Sequence, residues 1–165
     1  MKSICIFLAE GFEEMETMFP LDILRRGGLN VKTVSVTGNK TVTSSHQVPV
    51  VADMLFEDLN EAEVEMIVLP GGLPGATNLD AHAGLDKLIM SFAAAGKPLA
   101  AICAAPMVYG KPAIRVSTHT WRGLNIPVTW WKLSITSSWV KVRELPGCSA
   151  LPFWRNLPAL TRWPK

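Results

Sequence analysis

Three short apolar runs, each ended by glycine, cysteine or acidic residues, most constrain how this chain folds. They are SICIFLA (Ser3–Ala9), the run Met66–Leu69 before PGG, and PLAAIC (Pro98–Cys103). Each has the length of a strand and is apolar at consecutive positions, which is typical of a strand buried on both faces. Segments with helical spacing of apolar residues lie between them. The alternation predicts an α/β fold with a mainly parallel sheet covered on both sides.

The segments between these runs supply the helices and the remaining strands. Residues 13–28 have apolar residues near helical spacing and end in Gly27-Gly28, a signal that stops a helix. Pro20 lies inside this segment and predicts a kink or a break. Also expected are a strand over Asn30–Gly38, an extended segment over 46–59, a helix from Leu85 capped by Gly96, and a helix that begins directly after Cys103.

Polar or reactive residues follow each of the three apolar runs. Glu13, Glu14 and Glu16 come after the first, Gly71-Gly72 after the second, and Cys103 ends the third. Because the carboxyl ends of parallel strands meet at one edge of the sheet, these residues are expected to converge. Their convergence is the main reason to predict a functional site.

Cys103 is the candidate nucleophile of this site. A cysteine between a strand end and a helix start gains thiolate character from the exposed N–H groups of the helix. Glu16 is the candidate carboxyl to hydrogen-bond this thiolate, and the amides of Gly71, Gly72 and Ala104 are candidates to stabilise an oxyanion. The alternative is that Cys103 is a small buried apolar residue.

Other candidate sites are weaker. Cys5 lies inside an apolar run and Cys148 in a Pro/Gly-rich stretch, so both are read as non-catalytic. Three widely spaced cysteines do not form a disulfide framework, which favours a reducing cytoplasm. No cysteine or histidine pattern has metal-ligand spacing, and the glycine-rich segment 71–78 lacks the pattern of a phosphate loop, so neither a metal nor a nucleotide cofactor is expected.

Composition divides the chain at residue 110. Residues 1–110 contain 7 Lys and Arg against 13 Asp and Glu, a balance of −6, whereas residues 111–165 contain 9 against 1, a balance of +8. All six tryptophans lie in the second part. Its basic residues are scattered singly, which argues against a nucleic-acid partner. No apolar stretch reaches the ~20 residues that span a membrane, and the N-terminus reads as a strand instead of a signal peptide.

The stretches FLAEGFEEMETMFPLDILRRGGLNV, IVLPGG and AAICAAPMV, in this order and spacing, resemble the ThiJ/PfpI superfamily. The resemblance covers residues 2–110 and is to the branch that holds a Parkinson-disease-associated deglycase. It implies a flavodoxin-like three-layer sandwich similar to class I glutamine amidotransferases, usually as a homodimer. It also implies a reactive Cys103 on a strained elbow, Glu16 as its partner, and a pocket lined by the amides of Gly72 and Ala104.

The resemblance implies several alternative activities, all without a cofactor. One is an enzyme of the glyoxalase III or deglycase type that acts on a small 2-oxoaldehyde or a glycated protein through an activated thiol. The second is an oxidative-stress sensor or chaperone in which Cys103 is oxidised. The third is a catalytically degenerate domain. Cys103, Glu16 and Gly71-Gly72 favour the enzyme.

Residues 111–165 depart from the family pattern, although the simplest division is a single domain over 1–165. The family continues with a histidine segment, for which His119 is the candidate, and with a GKGPG turn that this chain lacks. A shift of the reading frame back by one base explains the departure. Trp130-Trp131-Lys132 then forces Val-Glu and Trp139-Val140 forces Gly, and residues 128–147 become compatible with DLVEVEHHIIMGKGPGA. The tail is therefore expected to be incomplete or irregular.

Overall fold

A six-stranded sheet forms the centre of the protein. The computed structural model describes residues 2–110 and the strand Trp139–Val142. The strand order is β5-β2-β1-β6-β7-β8, in which β1 is Ser3–Leu8, β2 Val31–Ser35, β5 Met54–Leu55, β6 Val64–Leu69, β7 Leu99–Ile102 and β8 Trp139–Val142. The first five are mutually parallel, and β8 pairs antiparallel with β7. The predicted mainly parallel α/β sheet is confirmed.

Strand β1 shows why the apolar runs are continuous. Ile4, Ile6 and Leu8 pack on one face of the sheet, and Cys5 and Phe7 pack on the other. Side chains alternate across a strand, so a strand covered on both faces needs apolar residues at every position. The two faces belong to two separate hydrophobic clusters, which is the three-layer arrangement expected from the sequence.

The helices divide between the two faces. Helix α1 (Glu14–Arg26) places Leu24 in the cluster that holds Ile4, Ile6 and Leu8. Helices α2 (Gly75–Ala81) and α3 (Ala83–Ala95) pack on the opposite face, the latter through Leu85, Leu88, Ile89 and Phe92. Helix α3 ends at Gly96, whose φ of +71° is left-handed as a glycine cap allows. The predicted cap at Gly96 is therefore confirmed.

Four local features differ from the sequence expectations. Helix α1 continues through Pro20, because its ring is buried and the helix tolerates the loss of one N–H donor. After Cys103 the described chain forms a 3-10 helix, Ala105–Tyr109, instead of an α-helix. Helix α2 begins in the glycine-rich segment after β6, where the sequence predicts no helix. A hairpin of β3 (Thr41–Thr43) and β4 (Pro49–Val51) was also not expected, because each strand has only three residues.

Most predictions for the tail concern residues outside those described. This applies to His119, to Cys148, and to the shifted reading frame. Strand β8 is the part of the tail that the structure describes. Its backbone extends the sheet, with Ile102 opposite Trp139 and Leu99 opposite Val142. Within residues 2–110 and β8, no helix combines the length and apolar character needed to cross a bilayer.

Candidate active site

The site lies where the strand order reverses. Strand β1 has β2 on one side and β6 on the other, and open α/β sheets bind ligands at the carboxyl ends of strands beside such a reversal. Glu16 is in the first turn of α1, which follows β1, and Gly71-Gly72 follows β6. Cys103 directly follows β7, the next strand. The three predicted groups are therefore at one edge of the sheet.

Cys103 occupies a strained elbow. Its φ is +56°, a left-handed value that few non-glycine residues adopt, and it stands between the last residue of β7 and the 3-10 helix. The residue is exposed, whereas Ile102 and Ala105 on either side of the turn are buried. The backbone therefore turns the thiol out of the core, which excludes the reading of Cys103 as buried apolar filler.

Gly71 brings the thiol and the carboxyl together. A Cβ at this position would lie 2.5 Å from Glu16 Oε2, 2.8 Å from Cys103 Cβ and 3.0 Å from Ala104 N. The Gly71 N–H donates to Glu16 Oε2 over 2.9 Å. Only glycine leaves room for this approach. The amide of Gly71 therefore holds Glu16, and the amides of Gly72 and Ala104 act on the sulfur by lowering the pKa of the thiol.

Burial raises the pKa of both members of the pair. At Glu16 burial is the largest cause, and hydrogen bonds from Gly71 and Cys103 oppose it. Cys103 is exposed as a residue, but partial desolvation of its sulfur is the first cause of the raised thiol pKa. The charge and the hydrogen bond of Glu16 raise this pKa further, and the Ala104 and Gly72 amides lower it. The sequence predicts that the helix start lowers the pKa of the Cys103 thiol, but burial and Glu16 outweigh this effect. Thiol and carboxyl form a coupled pair in which ionisation of one disfavours ionisation of the other.

Gly72 holds the loop after β6 against the loop after β1. Its φ is +90°, and a Cβ there would lie 2.5 Å from Glu13 N and 2.7 Å from Gly11 O. The Gly75 N–H donates to Gly11 O over 3.1 Å, and Asn78 Nδ2 donates to Glu10 O over 2.8 Å. The loops after β1 and β6 are therefore in direct main-chain contact, and this contact fixes the position of the site residues that they carry.

The first turn of α1 carries further polar contacts. Glu13 is the N-cap residue, with Oε2 accepting from Glu16 N over 2.7 Å. Glu14 Oε1 lies 2.8 Å from His46 Nδ1, in the loop between β3 and β4. Atoms of Glu13, Glu14 and His46 come within 4.8 Å of one another. Because Glu13 Oε2 already accepts from the Glu16 N–H and exposed acidic groups are common without a metal, we assign no metal ligand to this cluster.

Comparison with known proteins identifies the family. The model of the DJ-1/PfpI family matches residues 2–119. The chain belongs to the DJ-1/PfpI family. The family match extends beyond Gly110, where the resemblance read from the sequence ends, and includes His119.

Individual DJ-1/PfpI relatives agree over the same part of the chain. Protein DJ-1 homolog B of Arabidopsis thaliana is 38% identical over 105 residues, which are 64% of this chain and 24% of that protein. Deglycase TK1284 of Thermococcus kodakarensis is 32% identical over 107 residues, 64% of this chain and 62% of that protein. This chain therefore spans between 24% and 62% of the length of these relatives.

Solved structures of DJ-1 proteins share the fold. The C103A mutant of DJ-1 superfamily protein STM1931 from Salmonella typhimurium aligns with a TM-score of 0.62 at 37% identity, covering 66% of this chain and 58% of that chain. Oxidized Toxoplasma gondii DJ-1 aligns with a TM-score of 0.62 at 37% identity, covering 66% and 59%. The flavodoxin-like architecture is thus common to this chain and to these DJ-1 proteins.

Sequence reasoning missed two features of this DJ-1/PfpI site. It gave Glu13 no specific role, whereas the half-buried Glu13 caps α1 with its carboxylate. The pattern Glu-x-x-Glu at the helix start was the available signal, because it resembles a capping box. His46 was not singled out, since a lone histidine in a loop gives no spacing to interpret. Cys5 is fully buried, and burial raises the pKa of its thiol, which agrees with a non-catalytic reading.

Proposed function

We propose that this protein is a cofactor-free, cysteine-dependent enzyme that acts on small 2-oxoaldehydes or on their adducts with proteins. The observation that carries the proposal is the exposed Cys103 thiol coupled to Glu16 across Gly71. A nucleophile hydrogen-bonded to an acid–base group is the arrangement that covalent catalysis requires. Membership of a family that includes a deglycase supports the same class of substrate.

Glu16 is the proton carrier in the proposed reaction. It accepts the Cys103 proton as the sulfur attacks the aldehyde carbon, which gives a hemithioacetal whose oxygen takes the proton. Glu16 then moves the C1 hydrogen, as a proton, to C2, and the proton of the C1 hydroxyl passes to the C2 oxygen. The 2-oxo group thereby becomes a hydroxyl and C1 becomes a thioester. Water cleaves the carbon–sulfur bond, which releases the 2-hydroxy acid and restores the thiol. No net oxidant or reductant is consumed.

The amides of Gly72 and Ala104 are assigned to the oxyanion that develops during attack. Backbone N–H groups fixed by the fold stabilise such charge without reorganising. The Gly71 amide is the third candidate of this kind, and before attack it donates to Glu16 Oε2. His119 remains the candidate for a third acid–base group.

The alternative function is a redox sensor or stress-responsive chaperone. Its supporting observation is the exposure of Cys103, since an accessible thiol is open to oxidants. Oxidized Toxoplasma gondii DJ-1, which shares the fold, supports it as well. A catalytically degenerate domain is the third possibility, and it rests on the departure of the tail from the family pattern.

Methylglyoxal turnover by wild type and by Cys103→Ser separates these functions. We expect turnover by the wild type and a loss of about a hundredfold or more in Cys103→Ser, because the nucleophile is removed. Cys5→Ala is the matched control, since Cys5 is fully buried, and it keeps the activity. No turnover by any variant, together with selective peroxide oxidation of Cys103, would move the assignment to the sensor.

Assembly as a homodimer is part of the proposal. Met15 and Phe19 lie four residues apart on α1, so they share a face of the helix, and they are 66% and 48% exposed. Exposed apolar side chains at helical spacing suit a contact between subunits. Sedimentation of wild type and Met15→Glu tests it: a dimer in both would exclude this face. We also propose a cytoplasmic location, with neither nucleic acid nor membrane as a partner.

We propose in addition that the residues after Lys111 are read in a shifted frame. The forced codons at Trp130-Trp131-Lys132 and Trp139-Val140, together with the change in charge and tryptophan content, support this. Gene sequencing combined with the intact mass of the natural protein tests it. A tail containing the GKGPG segment is the expected result. If several homologous genes encoded the same basic, tryptophan-rich tail in place of that segment, the proposal would be excluded.

A further inference from the structure

Three hydrogen bonds form a closed ring between the start of α1 and the end of β6. The Glu13 N–H donates to Gly71 O over 3.0 Å, and the Gly71 N–H donates to Glu16 Oε2 over 2.9 Å. The Glu16 N–H then donates to Glu13 Oε2 over 2.7 Å. Each of the three residues gives one hydrogen bond and accepts one. The ring includes the carboxyl that contacts Cys103 and the glycine that separates the two.

Glu13 is an unusual choice for the position it occupies. Ser, Thr, Asp and Asn are preferred as N-cap residues because their short side chains reach the free N–H groups with little loss of conformational freedom. A glutamate loses more rotamer freedom to make the same bond. Thr17 Oγ1 also donates to Glu13 O over 3.0 Å, which fixes the main chain of Glu13 from the second turn of α1. Helix capping alone does not account for this concentration of contacts at one residue.

Glu16 depends on this cap because it is the third residue of α1. The first turn of a helix has unpaired N–H groups and frays when they have no partner. Fraying here would move the Cα atom of Glu16, and with it the carboxyl that lies against Cys103. Gly71 fixes only the carboxyl end of Glu16, whereas the Glu13 carboxylate fixes the main-chain N–H of Glu16.

We propose that Glu13 is a positioning residue, whose carboxylate holds the first turn of α1 so that Glu16 stays against the Cys103 thiol. The inference deepens the proposed function, because it concerns the same thiol, but it does not require turnover. Glu13 acts through Glu16, and Glu16 is the charged group that acts on the sulfur. Removing the side chain of Glu13 and removing the charge of Glu16 should therefore affect the thiol in the same direction.

The rate of Cys103 alkylation by iodoacetamide, measured as a function of pH, tests this in the full chain. Peptide mass spectrometry assigns the alkylated cysteine. The ionised Glu16 raises the pKa of the thiol, so Glu16→Gln lowers the midpoint of the alkylation profile. Glu13→Gly removes the acceptor at little cost to a helix N-cap. We expect it to lower the midpoint as well and to raise the rate at neutral pH about twofold or more.

Three further variants distinguish positioning from a general structural role. Glu13→Gln retains an oxygen acceptor and is expected to keep the wild-type profile. Glu14→Ala, the matched control at the next position, is expected to keep it too. In the double variant Glu13→Gly/Glu16→Gln the midpoint should equal that of Glu16→Gln alone, because residues that act in series are not additive.

The proposal is overturned if Glu13→Gly leaves the midpoint unchanged, or if its shift adds to that of Glu16→Gln. It is also overturned if Glu13→Gln shifts the profile as far as Glu13→Gly does. Circular dichroism monitors folding of each variant, and the Glu13→Gln result decides the matter if Glu13→Gly does not fold. Absence of methylglyoxal turnover would refute the proposed enzyme and leave the alkylation result intact.

Discussion

The chain contains two Gly-Gly-Leu sequences, one at the end of α1 and one at the end of β6, and the structure uses them differently. At Gly27-Gly28 the amides close the helix by donating to Ile23 O and Arg25 O, each over 2.9 Å. Gly28 has a φ of +78°, and a Cβ there would meet nothing within 4 Å. At Gly71-Gly72 a Cβ on either residue would lie 2.5 Å from its nearest neighbour.

The comparison shows that the same dipeptide can answer two different physical requirements. Gly28 is needed for a backbone angle that ends a helix. Gly71 does not have a positive φ, so its requirement is space between Glu16 and Cys103. Gly72 requires both a left-handed angle and space. Substitution by alanine adds only a Cβ, so the loss of stability that it causes at each of the three glycines measures how strict these requirements are.

Gly72→Ala should have the largest effect. The added Cβ combines left-handed strain with main-chain contacts to the segment from Gly11 to Glu13, and neither segment is free to move aside. We expect a loss of about 3–5 kcal/mol in the free energy of unfolding. Urea denaturation measures it. A loss equal to that of Gly28→Ala would show that the angle alone matters at both positions.

Gly71→Ala should have an intermediate effect on stability and a specific effect on the thiol. The nearest atom is the end of the Glu16 side chain, which can rotate, whereas Cys103 Cβ at 2.8 Å must shift with the elbow. The expected loss is about 1–3 kcal/mol. Rotation takes the carboxylate away from the sulfur and removes a cause of the raised thiol pKa, so the alkylation midpoint should fall towards lower pH. The pH profile of Cys103 alkylation is the measurement, and an unchanged midpoint would contradict the role of Gly71 as the point of approach.

Gly28→Ala should have the smallest effect. The position is open, so the cost is the left-handed angle, reduced by the lower conformational entropy of alanine in the unfolded chain, or about 0.5–1 kcal/mol in total. The thermal midpoint measures it, and Cys103 alkylation should remain as in the wild type. A shift in the midpoint of Cys103 alkylation would show that a change at the end of α1 alters the position of its first turn.

The sequence was sufficient for the elements that follow simple periodicity. Strands β1, β6 and β7 were visible because both of their faces are buried, and α3 was visible because its apolar stripe ends in a glycine cap. Since the ends of parallel strands share an edge, the meeting of Glu16, Gly71 and Cys103 could also be anticipated.

What the sequence could not provide depends on distances between remote segments. The use of the Gly71 amide by Glu16 is a tertiary contact, and no local pattern distinguishes it from an amide that faces substrate. The raised thiol pKa was missed for the same reason, because it reflects burial and the Glu16 charge outweighing the amides of Gly72 and Ala104. Pro20 was expected to disturb α1, but packing of its ring within the fold overrides the local preference.

The ring of hydrogen bonds has a consequence for protein engineering. Within residues 2–110, the groups that contact the thiol–carboxyl pair come from Glu13, from Gly71-Gly72 and from the elbow as far as Ala104. A chimera that keeps residues 1–104 and takes its remaining sequence from a relative would hold these contacts constant while the rest of the chain is exchanged. The reactivity of the same thiol could then be compared across several chimeras.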